Sequence, residues 1–131
     1  MQAHAIYTPL RRRADFSRVH SQGRRKGDAL VQVRVLRRPA PPTGTAPIRL
    51  GILVSKKYGS AVERNRFKRI VRAAVHALGP FFTPGWDILV LPRESHAAKM
   101  PEMLASLHQL LGALEVLADD GADPTEGDAA P

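Results

Sequence analysis

Ser55-Lys-Lys-Tyr-Gly-Ser-Ala-Val-Glu-Arg-Asn-Arg-Phe-Lys-Arg-Ile-Val-Arg-Ala-Ala-Val-His-Ala-Leu78 lies between two apolar stretches, Ile48-Arg-Leu-Gly-Ile-Leu-Val54 and Trp86-Asp-Ile-Leu-Val-Leu91. Its second half has helical periodicity, and Gly79-Pro80 stops it. On a wheel of roughly 100° per residue starting at Arg64, Lys68 falls at about 40°, Arg72 at about 80°, Asn65 at about 100° and Arg69 at about 140°. Phe67, Ile70, Val71, Ala74 and Leu78 occupy the other side, and Arg66 lies near the border. A helix with one apolar side, flanked by two strands, buries that side on a sheet. The stretch therefore predicts an α/β fold.

Outward from this unit, Ala29–Leu36 alternates, with Val31, Val33 and Val35, and predicts a strand antiparallel to 48–54. Between them Pro39, Pro41, Pro42, Gly44 and Pro47 predict a loop, long for a hairpin, with a mobile tip. Ala14–Gln22 reads as a short helix carrying Phe16 and Val19, ended by Gly23 and preceded by the basic run Arg11-Arg12-Arg13. Pro101–Leu117 reads as a helix with an apolar stripe of Leu104, Leu107, Leu111 and Leu114. The order helix, strands, helix, strand, helix makes a single-domain two-layer α/β sandwich over residues 1–118.

The chain's 131 residues suit one domain. The absence of Cys excludes disulfides, a thiol nucleophile and Cys-ligated metal. No apolar run approaches the ~20 residues that cross a bilayer, and the N-terminus lacks a secretory pattern, so a cytoplasmic, soluble protein is expected. A net charge of +8 and a pI near 10.8 point to a polyanionic partner. Residues 119–131 hold five acids and no base, leaving all twenty bases and seven acids, a balance of +13, in residues 1–118. The acidic segment is expected to be a disordered appendage, an inert solubilising tail in preference to an electrostatic screen over the basic face.

Arg64, Lys68 and Arg72, at i, i+4 and i+8, repel one another by a few tenths of a kcal/mol per pair. That single-sign row, with Lys56 and Lys57 beside it, points to phosphate binding in preference to a merely solvated face. RNA is the better partner than DNA, because no DNA-binding motif is visible. Asp15, Asp28, Glu63, Asp87, Glu94, Glu102 and Glu115 are scattered, and no nuclease or hydrolase motif occurs, so the chain is expected to carry no catalytic residue. His4, His20, His76, His96 and His108 are equally scattered, with no metal-binding spacing. Trp86, Phe81 and Phe82 read as core and loop anchors. Tyr58 reads equally as a packed turn residue or an RNA contact, and Phe16, by pattern alone, as core.

Residues 55–72 closely resemble the signature of the bacterial ribonuclease P protein family, Ser-Lys-Lys-x-Gly-x-Ala-Val-x-Arg-Asn-Arg-x-Lys-Arg-x-x-Arg, and meet every fixed position. Leu10, Asp15-Phe16, Val19, Gly23, Arg49-Leu50-Gly51 and Asp87–Arg93 fit the same family's order of elements. The resemblance implies a left-handed crossover through the basic helix, an exception to the usual hand. It implies that Lys56, Lys57, Arg64, Asn65, Arg66, Lys68, Arg69 and Arg72 face the catalytic RNA and precursor tRNA. It further implies that Phe16 lines a cleft for the single-stranded 5′ leader. His20 stands where the family often has an aromatic, so leader contacts here also fall to His20 and Arg11, Arg12 and Arg13. The implied partners are the ribonuclease P RNA and the precursor tRNA leader, with no membrane and no obligate protein partner. The implied cofactor is Mg²⁺, held mainly by the RNA subunit and substrate. Two other classes stay open on the residues alone, a general RNA-binding module using the same face and a stand-alone nuclease.

Overall fold

A computed structural model describes residues 7–38, 48–93 and 99–118. The expected mobile loop tip, the acidic tail, Glu94, His4 and His96 lie outside the described residues.

The elements run β1 (Tyr7–Pro9), α1 (Arg13–Gln22), β2 (Arg24–Gly27), β3 (Val31–Arg37), β4 (Ile48–Ile52), α2 (Ala61–Ala77), β5 (Trp86–Pro92) and α3 (Met100–Ala113). The five strands form one sheet in the order β1-β4-β5-β3-β2. β1 and β5 run parallel to β4, while β3 is antiparallel to β5 and β2 to β3. The helical span α2 joins the neighbouring parallel strands β4 and β5, as a parallel pair requires.

One expectation is corrected here. β3 and β4 do run in opposite directions, but they are not neighbours, because β5 lies between them and pairs with both. Trp86 to Val90 are all buried, and a strand buried on both faces and paired on both sides belongs at a sheet's centre.

The sandwich's main core lies between the sheet and α2 with α3. Val31, Val33, Val35, Ile48, Leu50, Ile88 and Val90 meet Phe67, Val71, Ala74, Val75, Met103, Leu107 and Leu111 there. α1 covers the opposite face over a small cluster of Leu10, Val19 and Leu89. Gly23 ends α1 with an ordinary φ of −71°, so the need for glycine is spatial. A Cβ there would stand 2.5 Å from the Val19 carbonyl oxygen and 2.9 Å from that of Val35.

α3 stops at Ala113, four residues before the expected Leu117. Glu115 takes a left-handed φ of 67° and turns the chain back, so that Leu117 bridges to Phe82. Trp86 is a core residue, as expected. Its indole N–H donates to Thr83 Oγ1 at 2.9 Å, and the Arg37 guanidinium lies 5.2 Å over its ring.

Candidate nucleic-acid interface

α2 begins with a capping box. The Ser60 side chain accepts from the Glu63 N–H, and Glu63 accepts from the Ser60 N–H at 2.7 Å. Phe67, Val71, Ala74 and Val75 are buried, and the opposite side carries Asn65, Arg69 and Arg72 into solvent, with Arg64, Arg66 and Lys68 half-buried. Lys56 and Lys57 are exposed on the turn just before the helix. The predicted basic row is therefore one surface. Arg64 has a second task, because its Nη1 donates to the Gly59 carbonyl at 2.7 Å and ties down the turn. Val62, on the first turn of the same helix, is 76% exposed.

Tyr58 is a packed turn residue. Its ring lies 5.4 Å from that of Phe67, and burial pushes its hydroxyl above the ordinary value of 10.0, against the opposing Arg66 charge.

The second part of the surface is a cleft of about 620 Å³ between α1 and the sheet, lined by Arg11, Arg13, Phe16, Ser17, His20, Ser21, Leu53 and Leu89. Here four of the five residues expected at a leader site come together. Arg12 is exposed at the N-cap of α1 and does not line the cleft. Arginines at the positive end of a helix are electrostatically disfavoured, and an anion between them relieves that repulsion. Phe16 is half-buried and lines this cleft. Its ring packs so closely on Gly51 that a Cβ there would stand 2.8 Å from Cε1, and its other side faces the cleft.

Phe16 also lines a second groove, at the β1 edge. This groove, of about 310 Å³, is lined by Tyr7, Pro9, Leu10, Phe16 and Gly51 on one side and by Lys68 and Arg72 on the other. A strand of nucleic acid following this path has an aromatic face for a base and cations for its phosphates.

Two features were not read from the sequence. Leu53, 44% exposed, forms part of the cleft wall. Asp15 and Asp87, distant in sequence, meet beneath α1 in a network of arginines. Asp87 is 0% exposed and accepts from Arg49 Nε and Nη2, both at 2.7 Å. Arg18 and Arg38 approach the same carboxylate at 3.3 and 3.2 Å, and Arg49 Nη1 reaches Asp15 at 3.1 Å. The hydrogen bond to Asp87 holds the Arg49 guanidinium above its ordinary value. A lone acid in the apolar run Trp86–Leu91, with a lone base in Ile48–Val54, was the signal for this pair; the two are register partners.

The chain resembles known proteins along most of its length. The family model described as Ribonuclease P matches residues 7–115. The ribonuclease P protein component of Dehalococcoides mccartyi is 39% identical over 110 residues, 83% of this chain and 86% of that protein. That of Cyanothece is 33% identical over 121 residues, 82% of this chain and 92% of that protein. Among solved structures, the Staphylococcus aureus RNase P protein superposes with a TM-score of 0.70 at 26% identity, covering 86% of this chain and 98% of that one. The Thermotoga maritima RNase P protein gives 0.65 at 27%, covering 77% and 92%. With the signature set on the exposed side of α2 and the fold shared, the chain belongs to the ribonuclease P protein family, RNA-binding components of the endoribonuclease that processes tRNA 5′ ends.

Proposed function

We propose that this chain is the non-catalytic subunit of its holoenzyme, acting in the cytoplasm, and that it grips both the ribonuclease P RNA and the precursor tRNA leader. The observation that carries this reading is the place of Phe16, which lines both the cleft beside α1 and the groove at the β1 edge that Lys68 and Arg72 also line. An unpaired leader base stacks on Phe16 for about 1–3 kcal/mol with little regard for sequence. Arg11, Arg13 and His20 flank it and take the adjoining phosphates. Arg66, Lys68, Arg69 and Arg72, with Lys56 and Lys57, offset the repulsion between RNA subunit and substrate, and Asn65 adds a neutral hydrogen-bonding group among them.

The chemistry is assigned to the RNA. The two carboxylates that the fold brings together, Asp15 and Asp87, are already neutralised by arginines. Among the described residues no group of three or more His, Cys, Asp or Glu side chains is placed to hold a metal ion. In this reading Mg²⁺ is left to the RNA and substrate. No helix among the described residues is long and apolar enough to cross a membrane.

The test is precursor-tRNA cleavage at low Mg²⁺ by protein alone, by the RNA subunit alone and by both. Cleavage at the mature 5′ end only in the mixture is expected, and cleavage by protein alone overturns the assignment. In the mixture Phe16→Ala weakens binding of leader-bearing substrate by about 1–3 kcal/mol and leaves leaderless tRNA unaffected. Equal loss for both substrates removes Phe16 from the leader site. For RNA-subunit assembly Arg66 and Arg69 are the cleaner pair to change, since Arg64 also holds the Gly59 turn.

A further inference from the structure

At the other edge of the sheet, four strand positions from β1, lies a second cationic surface that this function does not use. β2 consists of Arg24, Arg25, Lys26 and Gly27, all exposed, and among the described residues none of its three cations has an acidic partner. Arg25 stands directly opposite Arg34 on β3, and like charges so placed destabilise a sheet. Arg34 is already engaged, donating from Nε to Gln32 at 3.0 Å and from Nη1 to the His20 carbonyl, so its charge cannot swing away. Arg93 adds a fourth cation, its Nη1 lying 3.1 Å from where a Cβ of Gly27 would stand. The nearby acid, Asp28, is occupied by the turn. Its Oδ1 accepts from Leu30 at 2.8 Å and Val31 at 3.0 Å.

We propose that the β2 edge binds a backbone segment of the ribonuclease P RNA, separately from the α2 surface. The inference rests on the RNA-binding reading above. The strip offers cations and unpaired edge N–H groups but no aromatic side chain, which suits phosphates and not splayed bases. Four strand spacings put it about 19 Å from the β1 edge. That is about twice the screening length at physiological salt, so the two surfaces act independently. The protein then clamps two segments of one RNA.

A charged edge strand also guards against strand-to-strand aggregation, and the experiment separates the two roles. Arg24→Gln, Arg25→Gln and Lys26→Gln are combined, and association with the RNA subunit is measured over a salt series without substrate. A second variant carries Glu at the same three positions, and an Arg66→Gln, Arg69→Gln variant serves as reference. Melting curves verify that each is folded. The expected result is a log–log salt slope shallower by about two units in the Gln variant, with weaker binding still in the Glu variant. The shift should add to that of the reference variant. An unchanged slope alongside a shallower slope in the reference overturns the inference and leaves the strip an edge guard. An unchanged slope for the RNA subunit with weaker binding of precursor tRNA to the assembled holoenzyme, titrated in parallel, also overturns it and assigns the strip to the substrate. If neither variant changes the slope, the RNA-binding reading itself fails.

Discussion

Toward α2 and α3 the sheet turns Val31, Val33, Val35, Ile48, Leu50, Ile88 and Val90; toward α1 it turns Arg34, Arg49, Gly51, Asp87 and Leu89. The first set closes on two helices and excludes water. The second holds one helix with ion pairs and a three-residue apolar cluster, and leaves a cleft of about 620 Å³ beside it. The difference teaches how one sheet supplies both stability and a binding site. Apolar packing draws surfaces together until no space remains. Paired charges fix position at a few points and leave the space between those points open, which is what a site for a mobile strand of RNA needs.

The largest effect that would break this contrast is at Asp87. Asp87→Asn leaves Arg49 and its neighbours uncompensated and lowers the unfolding free energy by about 3–5 kcal/mol in urea titration. Adding Arg49→Met should recover part of that loss. If it recovers none, α1 is held by packing and the two faces differ less than described. Gly51→Ala comes next, because the new Cβ displaces the Phe16 ring. A loss of about 1–3 kcal/mol is expected, together with weaker discrimination between leader-bearing and leaderless tRNA. Unchanged discrimination would separate the Gly51 contact from the cleft.

The smallest effect is at Asp28. Burial alone would raise its carboxyl, but the N–H groups of Val31 and Leu30 and the Ser106 hydroxyl hold it below 3.8. A depressed folded pKa stabilises fully above the unfolded value and ceases to do so as pH falls through the folded one. Asp28→Asn should therefore cost about 1 kcal/mol at pH 7 and progressively less as the pH drops below about 4. A difference independent of pH would locate its role in turn geometry and not in charge.

Periodicity made the buried elements legible. The helices containing Val19, Phe67 and Leu107, and the strands containing Val33, Leu50 and Ile88, all appear where their patterns place them. β1 and β2 escaped because edge strands this short carry no buried alternation. Tyr7-Thr-Pro9 has three residues, and Arg24–Gly27 is exposed throughout. Pairing order escaped too, since alternation marks a strand without naming its neighbour. In the same way Leu114 and Leu117 keep helical spacing although the backbone between them has turned left-handed at Glu115. In the site, the α2 surface followed directly from the wheel. Among the cleft residues, Phe16 came from the family resemblance, His20, Arg11 and Arg13 from the departure at His20 and the basic run before α1, and Leu53 and the Asp15–Asp87 pair only from the fold.

The place of β5 bears on how the molecule is made. Synthesis delivers β3 and β4 first, yet neither has its main partner until the chain has been extended through α2 to residue 92. Until then two apolar strands wait with open edges, and closure demands contacts between distant parts of the chain, which slows folding. A nascent chain on the ribosome therefore finishes the helix with the basic row before it finishes the sheet on which that helix rests. The strand that completes the sheet also fixes both ends of the β4–α2–β5 passage, so pairing of β5 with β4 is what holds the basic face of α2 in register with the cleft.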